Sequence, residues 1–227
     1  IPDETTICKF RNALIKNNLL ESIFKEVKNS MIEKNLILNE GTLVDATLIH
    51  SSEPKKRKDD NGKTISNKAN DEDASYTSKR GRKHHGYKIH IATDTNSIIK
   101  EVITTTAKTH DSTQFDELIK DETKAVFADS GYMSQERKRT LRSKGIFNGI
   151  TERRVRGQSK LRTKQSKNNT KFSKVRALVE LPFAFIKKLM KYTETKYLGL
   201  HKNSQHVFLI AAAYNLRRMP KLIQRYE

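Results

Sequence analysis

Tryptophan is absent from this chain of 227 residues, cysteine occurs once and proline four times. A single cysteine, Cys8, excludes an intramolecular disulfide and any cysteine-based metal cluster, which suits a reducing compartment and makes Cys8 itself core filler. Acid is also scarce: 26 Asp and Glu stand against 45 Lys and Arg, a formal charge of +19. Such a chain repels itself unless a polyanion neutralises it, so nucleic acid is the first partner to consider. Long apolar runs are missing too, and none approaches the ~20 residues that cross a bilayer. No secretory leader is legible at the start. The expectation is a soluble, cytoplasmic protein with no membrane partner.

Hydrophobic residues make up only 35% of the chain, so long stretches must lie outside the core. Residues 51–85 show almost no apolar periodicity and read as an extended polar loop. The run PKKRK at 54–58 has the composition of a nuclear-localisation patch, but the two aspartates after it favour a solvated segment. Residues 152–176 hold ten Lys or Arg against one acid, Glu152. So concentrated a charge is costly without an anionic partner, and Arg153, Arg154 and Arg156 are read there as phosphate contacts to DNA.

Between these stretches strands and helices alternate. Residues 3–38 carry apolar positions at helical spacing behind Asp3, a plausible N-cap. From Gly41 the period shortens: TLVDATLIH, GYKIHIATD and SIIKEVITTTA read as three strands, with Asp94-Thr95-Asn96 turning between the last two. A short helix at 112–120, a strand in KAVFADSGY, a basic helix at 134–144 and a short strand in GIFNGI follow. Helices at 171–191 and in QHVFLIAAAYNLRRM close the chain. The order implies a mixed α/β sheet flanked by helices, the early strands antiparallel. Residues 1–40 form a helical N-terminal segment, and residues 41–227 one domain that includes the polar loop 51–85 and a basic loop at 152–171.

Two acids sit where a carboxylate is uncomfortable. Asp45 interrupts the apolar strand LVDATLI, and Asp129 ends the run AVFAD. A structural account would put Asp45 at a strand edge and have Asp129 cap a turn before Gly131. A third acid stands out on the helix KFSKVRALVELPFAFIKKLMK. Wound at ~100° per residue, it gathers Phe172, Val175, Val179, Pro182, Ile186 and Met190 into one apolar arc, and sets Glu180 between Arg176 and Lys187 beside it. Three carboxylates from separate elements make a hard-oxygen ligand set suited to Mg²⁺ or Mn²⁺. Two such ions could serve phosphodiester displacement. The histidines fit no site, and the rival acids Asp94 and Asp111 fall at turns, where Asp is common for backbone reasons.

Taken together, PDETTICKFRN, LVDATLI, KRGRKHHGYKIHIATD, AKTHDS, ADSGY, RALVELPFAFIKKLMKYTETKYLGLHKN and NLRR resemble the DDE transposases of bacterial insertion sequences, of the insertion-sequence-five and insertion-sequence-four types. The similarity runs from about Pro2 to Arg218. The group's Tyr, Arg, Glu, Lys signature is matched by Arg176, Glu180 and Lys187, while Ser173 stands where the tyrosine would be. The resemblance implies a ribonuclease-H-like fold and metal-dependent cleavage and transfer of an insertion sequence. Asp45, Asp129 and Glu180 would be catalytic and metal ligands for two ions, and Arg176 and Lys187 would hold phosphates. The implied partners are double-stranded DNA, as element ends and target, and a second copy in a homodimer assembled on DNA at the nucleoid. The chain also resembles a transposase lacking its front portion. Two other readings stay open: a degenerate relative that only binds DNA, and a ribonuclease-H-like nuclease that cuts without joining.

Overall fold

A computed structural model describes residues 2–54, 71–79, 81–122, 124–154 and 157–226, with only the backbone of two short strands between 55 and 70. In chain order the elements are α1 (Glu4–Lys16), α2 (Leu19–Glu33), β1 (Thr42–His50), β2 (Lys56–Lys58), β3 (Thr64–Ser66), β4 (Ser75–Lys79), β5 (Arg82–Thr93), β6 (Ile99–Thr106), α3 (Phe115–Leu118), β7 (Ala125–Phe127), α4 (Gln135–Ser143), β8 (Phe147–Asn148), α5 (Thr163–Arg176), α6 (Glu180–Ala184) and α7 (Leu200–Tyr226). Several starts are written in side-chain caps. Asp3 Oδ1 accepts from Thr6 N at 2.6 Å ahead of α1, and Ser134 Oγ from Arg137 N at 3.0 Å ahead of α4.

β5 is the spine of the main sheet. Its Gly86 stands opposite both His50 of β1 and Ser75 of β4, so those strands lie on opposite flanks. β6 takes up the rest of the β4 flank, antiparallel, while β7 and then β8 extend the sheet beyond β1 in parallel. An antiparallel set of three strands continued by two parallel ones, covered by helices, is a ribonuclease-H-like mixed α/β sheet, with the N-terminal helices packed alongside.

Each face of the sheet has its own core. Leu43, Ile89, Ile91 and Val102 meet Phe24 of α2, Val179, Phe183 and Ile186, and the α7 residues Val207, Ile210 and Tyr214. Val44, Ala92, Val126 and Ala128 face Phe115, Leu118, Leu141 and Ile146 on the other side. The alternation along β1 and β7 therefore sorts side chains between two apolar layers. α7 also covers β6: Asn215 accepts from Ile99 N and donates to Ile99 O, both at 2.9 Å. Arg218 reaches Asn96 O at 2.6 Å, so the Asn and Arg of NLRR pin the β5–β6 turn. No helix among the described residues is long and apolar enough to cross a membrane.

Three segments differ from the sequence expectation. The stretch 51–85 is not all loop: β4 and the first residues of β5 form a hairpin inside it. Asp71 fixes that hairpin by accepting from Tyr87 OH at 2.6 Å and Gly199 N at 3.1 Å, and Asp73 by accepting from Leu200 N at the start of α7 at 2.8 Å. At the hairpin's root a Cβ on Gly86 would lie 2.1 Å from Ile49 O, so only glycine lets β5 pass so close to β1. In the basic stretch 152–171 regular structure begins at Thr163, where α5 starts, opened by Gln165 Oε1 accepting from Arg162 N at 3.0 Å. The helix expected over 171–191 is broken into α5, a 3-10 turn at Ala177–Val179, α6, and a π turn at Phe185–Leu189.

That break has a local cause. Pro182 has no N–H to offer the carbonyl of Leu178, four residues back. Ser97 Oγ donates to that oxygen instead, at 2.7 Å. The π turn then shifts the apolar arc: Val179, Pro182 and Ile186 are buried, while Met190 is 39% exposed.

Candidate active site

β1 and β7 run parallel, with Thr42 opposite Val126 and Leu43 opposite Phe127. Two residues further on, the same register sets Asp129 beside Asp45. Leu43 and Phe127 point to the α5–α7 side, and by the period of two so do both aspartates, Asp129 still having extended backbone. α5 packs against β1 and β7, and the 3-10 turn after it packs on β1 and β5. Arg176 and Glu180 bracket that turn, so the helix break lies directly over the strand that carries Asp45.

The carboxylate of Asp45 is partly buried. Its Oδ1 accepts from Ala46 N at 2.8 Å and its Oδ2 lies 3.6 Å from Arg176 Nη2. Burial pushes its pKa up to about 6; the Ala46 amide and Arg176 oppose this, and the charges of Asp129 and Glu180 add to it. Asp129 is tethered by Gly131 N, which donates to its Oδ1 at 2.6 Å and caps the 3-10 turn Ser130–Tyr132. The capping role and the shared face hold together, because the second oxygen is left out of the cap. Glu180 is exposed at the start of α6.

The cations expected here are divided. Arg176 is the partner of Asp45. Lys187, in the π turn, is half-buried; burial lowers its pKa, nearby Lys79 lowers it further, and Glu180 opposes both. Arg153 Nε donates to Ser130 Oγ at 3.0 Å, which seats its guanidinium beside Asp129's turn, with Nη2 3.4 Å from where a Cβ of Gly131 would be. Arg154 Nη1 donates to Ser159 O at 3.1 Å, within its own segment. Arg156 lies outside the described residues.

Among the described residues no group of three Asp, Glu, His or Cys side chains stands close enough to enclose an ion. The donor set still fits a hard divalent cation. Asp45, Asp129 and Glu180 supply only carboxylate oxygens, and the first feels the repulsion of the other two, which a cation between them would relieve. Asp94 is a different case. It is fully buried and accepts from Leu38 N at 2.7 Å and Ile98 N at 2.8 Å, holding the β5–β6 turn. Asp111 is paired with Lys88 at 2.8 Å. His110 accepts from Ser112 N at 3.3 Å as a turn cap, and His90 is buried against Thr105 Oγ1 at 2.8 Å.

Two further residues near the site have no role assigned from the sequence. Tyr132 follows Asp129 in ADSGY and is 1% exposed, its hydroxyl without a hydrogen-bond partner among the described residues. Burial first, then the charges of Asp111, Asp45 and Asp129, raise its pKa. Lys79 comes from a polar stretch where no lysine could be singled out.

A family model described as the transposase DDE domain matches residues 38–216. The chain belongs to that family. No solved structure matches the chain. The match begins ahead of β1 and ends within α7, so it takes in both aspartate-bearing strands and the broken helix of Glu180. As a DDE transposase domain, the chain has DNA as its family's partner, and its fold presents three acids and a set of cations on one side of the sheet.

Proposed function

We propose that this domain carries out metal-dependent cleavage of DNA strands and transfer of their ends during transposition of an insertion sequence. The observation that supports it most is the placement of Asp45 and Asp129 on one face of adjacent parallel strands, with Glu180 near enough to repel the charge on Asp45. In this reading the three carboxylates hold Mg²⁺ or Mn²⁺, two ions together. When bound, the ions would favour ionisation of the attacking oxygen and stabilise the leaving oxygen of an in-line displacement.

The chain's own residues do the rest. The attacking oxygen of a water, or of a 3′-hydroxyl during transfer, forms a bond to phosphorus as the bond to the 3′ oxygen breaks. Asp45 and Asp129 would hold the ions at fixed places, because one is held in a strand and the other by the Gly131 amide. Arg176, 3.6 Å from Asp45 Oδ2, lies where its guanidinium could also meet a phosphate beside the acids. Lys187 and Arg153 offer further cations on either side of the acids.

The test is a plasmid carrying the element's own ends, incubated with the protein and Mg²⁺. Nicked and joined products that vanish with EDTA and with Asp129→Asn support the reading. Released 3′ ends that are never joined would make the protein a nuclease. Binding without any cleavage would leave a DNA-binding relative with silent carboxylates.

A further inference from the structure

Along β1 from Asp45 the chain forms a small hollow. Its floor is Ala46, Thr47 and Leu48, the three residues of β1 that follow Asp45, and its wall is Thr77, Ser78 and Lys79 of β4. Lys88 and Asp111 complete it, and its volume is about 160 Å³, enough for a phosphate group and attached water. The hairpin that supplies the wall is not a loose arm. Asp71 and Asp73 tie its approach to Tyr87 and to the N-terminus of α7, and Gly86 locks its root against β1.

The chemistry of the lining selects an anion. By the sheet register Thr77 and Lys79 share the face of Lys88, so one hydroxyl and two ammonium groups border the hollow. Lys88 donates one hydrogen to Thr109 O at 2.7 Å and is ion-paired with Asp111, its Nζ 2.8 Å from Oδ1. Asp111 cancels one positive charge and leaves that of Lys79. Lys79 is exposed, yet it is close enough to Lys187 for the two ammonium groups to repel.

We propose that this hollow is a backbone-phosphate subsite, in which Lys79 and Thr77 hold a phosphodiester of the bound DNA. The inference rests on the reading of the domain as a DNA-cleaving enzyme and adds a contact to it. It also gives the β4–β5 hairpin a role, since the hairpin supplies Lys79 and Thr77 to the wall of the hollow.

The experiment uses the full chain and a fluorescein-labelled duplex of arbitrary sequence, with affinity measured from low to moderate salt. Lys79→Gln should weaken binding about tenfold, and should make the slope of log K against log salt shallower by about 0.9. Lys79→Arg should restore both. Thr77→Val should weaken binding by about threefold while keeping the slope, since it removes a neutral donor. Lys120→Ala, at an exposed lysine paired with Glu117, serves as the control that should behave as wild type. Thermal melts of each variant exclude unfolding. If Lys79→Gln keeps wild-type affinity and slope, or if Thr77→Val binds as wild type does, the hollow is not a phosphate subsite. Failure of the wild-type protein to bind duplex in any salt would instead overturn the DNA reading on which the subsite rests.

Discussion

Replacing Asp45 by asparagine should make the protein more stable while making it inert. The side chain has an ordinary carboxyl pKa of 3.8 when unfolded and about 6 when folded, raised first by burial and then by Asp129 and Glu180. At about 1.4 kcal/mol per pH unit the folded state carries a penalty of about 3 kcal/mol for keeping this group ionised at pH 8. The sign follows from linkage. Because the folded pKa is the higher one, the folded state binds the proton more tightly, and stability is lost as pH rises from about 4 to about 6. Asparagine approximates the protonated form, so its advantage is fully present above pH 6. It shrinks to about 1 kcal/mol at pH 4.5, where most of the folded population is already neutral. For a chain of this size each kcal/mol moves the Tm by about 2–4 °C. Differential scanning calorimetry in EDTA should therefore find Asp45→Asn melting several degrees above wild type at pH 8 and only slightly above it at pH 4.5. A variant that melts lower than wild type at pH 8, or with the same offset at both pH values, would refute the account of Asp45 as a destabilising charge.

Other consequences follow from the same geometry. Mg²⁺ should raise the Tm of wild type and leave that of Asp45→Asn nearly unmoved, since an ion that binds only the folded state stabilises it by mass action; equal shifts would place the ion elsewhere. Asp129→Asn keeps the hydrogen bond to Gly131 N possible but removes the charge, so cleavage of a plasmid with the element's ends should fall by orders of magnitude while gel-shift affinity persists. Near-normal cleavage would move the metal site away from Asp129. Ser97→Ala should cost about 1–3 kcal/mol by stranding the Leu178 carbonyl. Adding Pro182→Ala restores an N–H four residues on and should recover part of that loss in chemical denaturation, whereas simple additivity would mean that the proline is not what frees the carbonyl. Arg153→Ala with Arg154→Ala should make the salt dependence of duplex binding shallower by up to about 1.8 in log–log slope; an unchanged slope would make the basic stretch a solvated surface.

The acids are legible in the sequence because their surroundings are apolar. Asp45 and Asp129 interrupt runs that read as buried strands, and a strand's alternation is enough to put both on one face once the strands are paired in parallel. Glu180 is legible from the helical period, although the helix that produces the period is broken in the fold. Pro182 announces a disturbance there, but not that Ser97, from a turn 81 residues earlier in the chain, supplies the donor for the freed carbonyl. The first part of α5, Thr163 to Thr170, is hidden for a simpler reason. It holds no apolar residue and so no stripe to read, and its start depends on the exchange between Arg162 and Gln165. The β4–β5 hairpin is hidden because β4 buries little and because its anchors are polar. Asp71 and Asp73 find their partners 128 and 127 residues away, at Gly199 and Leu200. No local pattern encodes that distance.

Asp94 shows why burial alone does not mark an ion site. Its pKa is raised to about 6, as that of Asp45 is, and burial is the first cause in both. In both, neighbouring amides and a cation then favour the charged form, but only at Asp45 do other acids oppose it. Around Asp94 every other contribution favours the charged form: the amides of Leu38, Ile98 and Asn96, and the ammonium of Lys100. That carboxylate is satisfied, and its work is to hold the turn between β5 and β6. Around Asp45 two further acids disfavour the charge, in a chain that carries +19 overall. A basic protein has cations to spare, so acids that repel one another across three elements are not explained by a shortage of partners. The arrangement costs folding free energy while no ion is present, and binding a divalent cation would return it. Such a balance is expected where carboxylates are set for an ion rather than for the fold.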